Sequence, residues 1–346
     1  MGTESGLIVE KSEVSVEVLT DPRRVYTLLE THDYLRAWTS LDAPSLGRHW
    51  IAEFCRAYGE GKQVFVVVAY TAGRPCLVVP LQLVSPTAAI FLCDDGTDHN
   101  DLLWFSPDVQ MLEQALRFLA NRGLRSLLLS RLPEDTDTIG LFWAVQSYIP
   151  SFVLVEHGEP IPYIECKKTV PIDKWPDVNI HRIIYLRNRR AKLERKHSCT
   201  VRVLKDVAEI ETLLPTFFEM HKNRWRQKTT VSKYSHENRR TFTRAICVSA
   251  LRRNELFLPV LEIDGQIAAY ILGFRSGQTI FDWNTSFDMA WRRWSPGALL
   301  LLEVLERSTE FEISTYDLLR GADSYKFDWT SKTRTNRTLF CSFLSA

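Results

Sequence analysis

The chain has 346 residues, 45% of them hydrophobic and 25% charged, which suits about two ordinary domains with full cores and excludes a disordered polymer. Its formal net charge of +1 gives no global pull toward nucleic acid or membrane, so any basic patch must be local. No apolar run approaches the roughly 18 residues of a membrane span, and the scattered cysteines (Cys55, Cys76, Cys93, Cys166, Cys199, Cys247, Cys341) form no Cys-x-x-Cys pair, which points to reduced thiols in a cytoplasm rather than disulfides or zinc.

The opening stretch, Met1 to Lys11, lacks the apolar core of a signal peptide, and Gly6 breaks the myristoylation pattern. Val14 to Leu19 reads as an edge strand. Tyr26–Glu30 and Leu46–Tyr58 have helical spacing, with Trp50, Phe54 and Tyr58 on one face as core aromatics. Val64–Tyr70, a turn at Ala72-Gly73 and Pro75–Val84 predict a β-hairpin. A third strand, Ala89–Cys93, runs into the polar loop Asp94–Asp101. That loop lacks the spacing and closing Glu of an EF-hand, so it predicts an acceptor contact through Asp98 and Asp101 and no metal. Ser106-Pro107-Asp108 then opens a helix to about Ala120, Gly123 stops it, and Arg125–Ser130 is a strand.

Pro160-Ile161-Pro162 and Pro171 to Pro176 mark a linker and crossover. The segment His181–His197 is strongly basic with a sparse stripe of Ile183, Leu186 and Leu193. It predicts an amphipathic helix whose charges either coat a solvated face or meet an anion such as RNA, lipid or a cofactor phosphate. Helices follow at Ile210–Lys228, carrying His221, Arg224 and Trp225, and at His236–Arg253. The order of the first half then recurs. Leu256–Ile263 turns at Asp264-Gly265 into Gln266–Phe274, Thr279–Asn284 is a strand, Ser295-Pro296 opens a leucine-rich helix, and Ile313–Leu319 is a strand. At the second Ser-Pro, Arg292 and Arg293 precede a cap at Ser295, and Gly297 and Ala298 leave the backbone bare. Free N–H groups at a helix start make this an anion site. The first copy has Asp108 where Gly297 stands and lacks the arginine pair, so only the second is expected to bind an anionic cofactor.

Four motifs carry a family resemblance: Lys192-Leu193-Glu194-Arg195, His221-x-x-Arg224-Trp225, Trp294-Ser295-Pro296-Gly297, and the run from Gly321 through Tyr325-Lys326 to Trp329. From about Ile183 to Phe340 the chain resembles the GNAT acetyltransferase domain of the CelD/BcsL type, associated with cellulose and exopolysaccharide synthesis. Asp98–Asp101 extends the resemblance to the first half. It implies an α/β (α+β) fold of two tandem GNAT-like domains, each a mixed central sheet flanked by helices. The expected division is a degenerate domain over 1–165 and the acyltransferase domain over 166–346. It also implies acetyl-CoA or another acyl-CoA as co-substrate, held by Arg292, Arg293, Ser295, Gly297 and Ala298. GNAT proteins carry a glycine at the Ser295 position, so this loop departs from their pattern.

Acyl transfer from a thioester needs a base for the nucleophile, a stabilised oxyanion and a proton for the leaving thiolate. Asp282 and Glu262, on strands beside the expected cleft, are candidate bases. Against this, Asp282 also reads as a strand-end carboxylate paired with an arginine. Tyr325 is the candidate acid and Lys326 a holder of the oxyanion or of an anionic group, although Tyr325 and Trp329 are also spaced as one packed helix face. His221, Arg224, Trp225, Asp98 and Asp101 are the candidate acceptor contacts. The expected reaction is acyl transfer to a small polar acceptor such as a sugar or amino sugar, without nucleic acid or membrane span, in company with polysaccharide-synthesis proteins. FemAB-type transferases share the double fold and leave aminoacyl-tRNA open as the donor. A non-catalytic accessory role is the third reading.

Overall fold

A computed structural model describes residues 14–149, 152–167, 169–226, 231–321 and 323–343. The reading of Met1 to Lys11, and the last two residues of the expected helix at Ile210–Lys228, lie outside the described residues. The first lobe runs β1 (Val14–Leu19), α1 (Pro22–Thr31), α2 (Arg48–Tyr58), β2 (Val66–Thr71), β3 (Arg74–Val79), β4 (Leu81–Ser85), β5 (Ala88–Phe91), β6 (Leu103–Trp104), α3 (Val109–Asn121), β7 (Ser126–Pro133), α4 (Asp137–Gln146) and β8 (Phe152–Glu165). The second runs α5 (Ile180–Glu194), β9 (Cys199–Val203), α6 (Val207–Arg226), α7 (Glu237–Arg252), β10 (Leu256–Phe257), β11 (Pro259–Ile263), β12 (Gln266–Ser276), β13 (Thr279–Phe287), α8 (Pro296–Glu306), β14 (Thr315–Asp317), α9 (Ser324–Phe327) and β15 (Thr333–Phe343).

The repeat read from the sequence is present as an element correspondence. In each lobe an edge strand and two helices precede a hairpin, and then come further strand structure (β4 to β6 in the first lobe, β13 in the second), a helix, and a strand that pairs in parallel with an earlier one: β7 with β5, and β14 with β13. The two hairpin turns agree in backbone as well. Ala72 and Gly73 have φ 50° and 75°, and Asp264 and Gly265 have φ 51° and 75°. Positive φ at both positions is the two-residue turn that matches strand twist, and it favours Gly at the second.

The two Ser-Pro steps do different work. In the first lobe Asp108, not Ser106, caps α3, its carboxylate accepting from Met111 N at 2.8 Å. In the second, Pro296 takes the first helical position, but Ser295 is left-handed (φ 56°, ψ 51°) and its side chain makes no cap bond. A short 3₁₀ turn, Met289–Trp294, delivers the chain to this point.

The lobes are not separate bodies. A continuous path β4-β5-β7-β15-β8-β14-β13-β12-β11-β9 joins them, with β15 inserted between β7 and β8 of the first lobe. A cut at 165/166 would therefore divide one sheet. The expected linker Pro160–Pro162 is instead part of β8, facing Thr335 and Thr333 of β15. The prolines survive there because this stretch of β8 has a strand on one side only, the edge position that tolerates a missing N–H. The core is shared too. Trp50 of α2 meets Phe242 of α7, Phe274 of β12 and Trp283 of β13 edge-on, with ring centroids 5.4, 5.1 and 5.4 Å away.

Candidate active site

β13 and β14 pair over only three residues, Thr279–Phe281 with Thr315–Asp317, and then part. Just past that point β13 carries a bulge: Asp282 faces Gly273 and Asn284 faces Leu272, leaving Trp283 extra. Gly273 is needed there, because a Cβ would stand 3.1 Å from the Phe281 carbonyl. Bulges bend a strand and re-aim its side chains, and here Asp282 and Thr285 line a cleft of about 500 Å³ between the parted strands. The opposite wall is the loop after β14 with Tyr325 and Lys326 of α9. His221, Arg224 and Trp225 come from α6, and Asp98 reaches in from the first lobe.

Among the described residues Asp282 does not pair with an arginine. It accepts from Thr285 Oγ1 at 2.8 Å and Tyr316 Oη at 3.0 Å. Burial raises its pKa above the usual carboxylate value against those two donors. Tyr325 is 43% exposed at the cleft. Desolvation, then the Asp282 and Asp323 carboxylates, push its phenol up, so it stays protonated and able to donate. Lys326 is buried, and its ammonium is committed to the loop, donating to Leu319 O at 3.0 Å and to Arg320 O. The expected oxyanion holder is thus the tie that fixes the cleft wall.

On the facing side, His221 is buried with Nδ1 2.7 Å from Ser232 Oγ and its ring stacked on Trp225 at 5.5 Å. Desolvation, followed by Lys233, Arg224 and Arg239, pulls it down to about 3, so the imidazole is neutral. Arg224 donates to Thr285 O at 2.9 Å and lies 5.1 Å from the Phe287 ring, holding α6 to β13. Asp98 accepts from Arg320 Nε at 3.0 Å, an ion pair that bridges the lobes at the rim.

Two expected site residues lie elsewhere. Asp101 is fully enclosed in the first lobe, accepting from Thr136 at 2.5 Å, Thr138 at 2.6 Å and Leu102 N at 2.8 Å, a structural carboxylate rather than an acceptor contact. Glu262 faces another surface, bound to Arg202 Nε at 2.9 Å and Thr200 at 3.2 Å. Lys233 and Arg320 also line the cleft, and no motif in the sequence pointed to them. Lys233 sits in a 3₁₀ turn between α6 and α7 with its ammonium 4.9 Å from the centroid of the Trp283 ring.

The expected anion site adjoins the cleft. Gly297 packs on Thr285: a Cβ there would meet Thr285 Cγ2 at 3.4 Å and Phe287 Cδ1 at 3.6 Å. These are ordinary contacts, so α8 lies close on β13 at this point. Ala298 N is bonded to Ser295 O at 3.0 Å. Arg292 and Arg293 are exposed, and Arg189 of α5 donates to Ser295 Oγ at 2.5 Å. Two further cations of the basic run are paired with carboxylates, Arg187 with Glu306 at 2.7 Å and Asp173 at 3.3 Å, and Arg190 with Glu303 at 2.8 Å and Glu306 at 2.7 Å, while Lys192, Arg195 and Lys196 are exposed.

Comparisons with known proteins agree with this architecture. Residues 182–327 match the family described as acetyltransferase (GNAT) domain, a span that includes every cleft residue named above except Asp98. A conserved protein of unknown function from Bacteroides thetaiotaomicron superposes with a TM-score of 0.60 at 11% identity, covering 95% of this chain and 100% of its own. L-PGS from Bacillus licheniformis gives 0.56 at 11% identity, covering 94% and 93%. FemX gives 0.52 at 12% identity, covering 95% and 97%. At these identities the likeness is one of fold alone. No curated protein matches the sequence significantly. The chain is thus a mixed α/β protein of two tandem GNAT-like lobes, with the matched GNAT domain in the second.

Proposed function

We propose that the second lobe transfers an acyl group from an acyl-CoA, acetyl-CoA in the simplest case, to a small polar acceptor such as an amino sugar. A role beside polysaccharide-synthesis proteins, as in the CelD/BcsL type, belongs to the same reading. The observation that carries it is the parting of β13 from β14 at the Trp283 bulge, with a carboxylate and a protonated phenol on its two sides. The residues suit such a donor. β13 beyond Asp282 has no partner on the β14 side, and the α8 N-terminus beside it is flanked by Arg189, Arg292 and Arg293, which would hold the phosphates. The donor supplies an activated thioester. Tyr325 gives a proton to the departing sulfur, Asp282 orients the acceptor, and Lys326 keeps the wall in place through Leu319 and Arg320. The pairing of Arg187 and Arg190 with α8 leaves less free positive charge for an RNA than the sequence suggests, which favours acyl-CoA over aminoacyl-tRNA as donor.

Thermal unfolding with acetyl-CoA, a longer acyl-CoA or tRNA tests the reading. A rise in midpoint with an acyl-CoA, reduced in Arg293→Glu, is expected. A rise with tRNA alone, or none with any of them, would overturn it. Gly297→Asp is the poorer probe, because its Cβ would already touch Thr285 and Phe287 and so could change packing as well as charge.

A further inference from the structure

Among the described residues the cleft contains one cation that neither a hydrogen bond nor a carboxylate holds. Arg224 is spent on the Thr285 carbonyl, Lys326 on two loop carbonyls and Arg320 on Asp98. Lys233 is different. Among the described residues its ammonium makes no hydrogen bond and has no carboxylate in ion-pair range, resting instead against the Trp283 and Tyr234 rings at 4.9 and 5.4 Å. Two cleft carboxylates, Asp282 and Asp323, likewise have no cation in salt-bridge contact. An amine without a hydrogen-bond partner, in one cleft with two carboxylates that no cation pairs, is the arrangement that receives a cationic acceptor and relieves it of a proton.

We infer that Lys233 is the proton acceptor of the transfer and that the acceptor substrate is a primary amine, entering as an ammonium held by Asp282 and Asp323. This rests on the acyl-transfer reading and adds its base and its acceptor class. The neutral Lys233 Nζ takes one proton from the ammonium, and the freed amine forms a C–N bond to the thioester carbon. The C–S bond breaks, the thiolate takes the Tyr325 proton, and the second proton leaving the acylated nitrogen restores the Tyr325 phenol. Lys233 then releases its proton to solvent, so one ammonium and one thioester give one amide, one thiol and one proton.

The surroundings keep Lys233 ready for this. Burial, and then the guanidinium of Arg239 on α7, pull it down to about 7, with Arg320 acting in the same sense and Asp98 and Asp282 opposing. His221 on α6 is neutral and adds no charge. A base that titrates near the working pH serves proton transfer best.

The test compares wild type, Lys233→Met and Lys233→Arg, using acetyl-CoA with glucosamine from pH 5 to 10, alongside competitive labelling of lysines by acetic anhydride without donor or acceptor. Wild-type Lys233 is expected to label with a midpoint near pH 7. Both variants are expected to lose about 100-fold in kcat/KM, Lys233→Arg included because guanidinium does not deprotonate. A second readout needs no turnover. The unfolded chain holds this proton up to about 10.5, so wild-type stability rises with pH from about 7 to 10 through this group, and Lys233→Met is expected to remove that rise. A labelling midpoint above 9, or variants with the wild-type pH profile, overturns the assignment of Lys233 alone. Wild type that neither binds nor consumes acetyl-CoA overturns the acyl-transfer reading and this inference with it.

Discussion

Tyr325 and Asp101 show how the same kind of environment gives opposite roles. At Tyr325 a phenol is desolvated at the edge of a cleft where it can still meet a ligand, so Tyr325→Phe is expected to lower turnover about 100-fold while leaving the unfolding midpoint in place. Steady-state rates and a melting curve decide it, and unchanged turnover would remove the proton-donor role. At Asp101 a carboxyl is sealed inside the first lobe. Burial pushes it up to about 7 despite the Thr136, Thr138 and Leu102 donors. The folded chain therefore keeps this proton to higher pH than the unfolded chain, and the stability it lends is lost as pH rises from about 4 toward 7. Urea unfolding at pH 5 and pH 8 should show the loss as a difference between proteins: the lowered His221 and Lys233 raise stability with pH in both, and Asp101→Asn should gain more over that range than wild type does. Tyr325 and His221 drew attention because each sits in a motif, and Asp282 because it is a carboxylate on a strand beside the expected cleft. Lys233 did not, since one lysine in a short turn has no pattern until the fold sets it against Trp283.

Among the elements, the hairpins were legible because their turns need Gly73 and Gly265 at positive φ. β8 was hidden by Pro160 and Pro162, which argue against a strand wherever both edges are paired. β15 was hidden by a polar opening, Thr333-Arg334-Thr335-Asn336-Arg337, whose side chains serve the seam between lobes. Asn336 donates to Asp98 O at 2.9 Å and meets His99 Nδ1 at 3.1 Å, and Arg334 pairs with buried Asp317 at 3.3 Å. Removing residues 333–346 is therefore expected to unfold the first lobe rather than trim the second. Far-UV circular dichroism and gel filtration read the outcome, and a monodisperse, fully folded product would refute the shared sheet.

At the level of the whole molecule, the common core around Trp50 makes the two lobes one cooperative unit despite their separate site chemistry. Trp50→Ala removes a side chain packed on three aromatic rings and is expected to cost about 3–5 kcal/mol. The loss should appear as a single earlier transition by calorimetry, with tyrosine and tryptophan signals moving together. Two transitions, with only the first lobe shifted, would show the lobes to be energetically separate.

The insertion of β15 between β7 and β8 also fixes an order of events in synthesis. Domains ordinarily fold from the N-terminus as the chain emerges. Here the first lobe has its helices and most of its strands by Glu165, yet its sheet lacks a strand that is made only after the entire GNAT-matched region. Until Thr333–Phe343 leaves the ribosome, β7 and β8 hold an empty slot with unmet backbone hydrogen bonds, and any other extended chain is a competitor for it. The nascent protein is most exposed to mispairing while its second half is being made, and β15 then completes the sheet of the first lobe, whose β8 also pairs with β14 of the second.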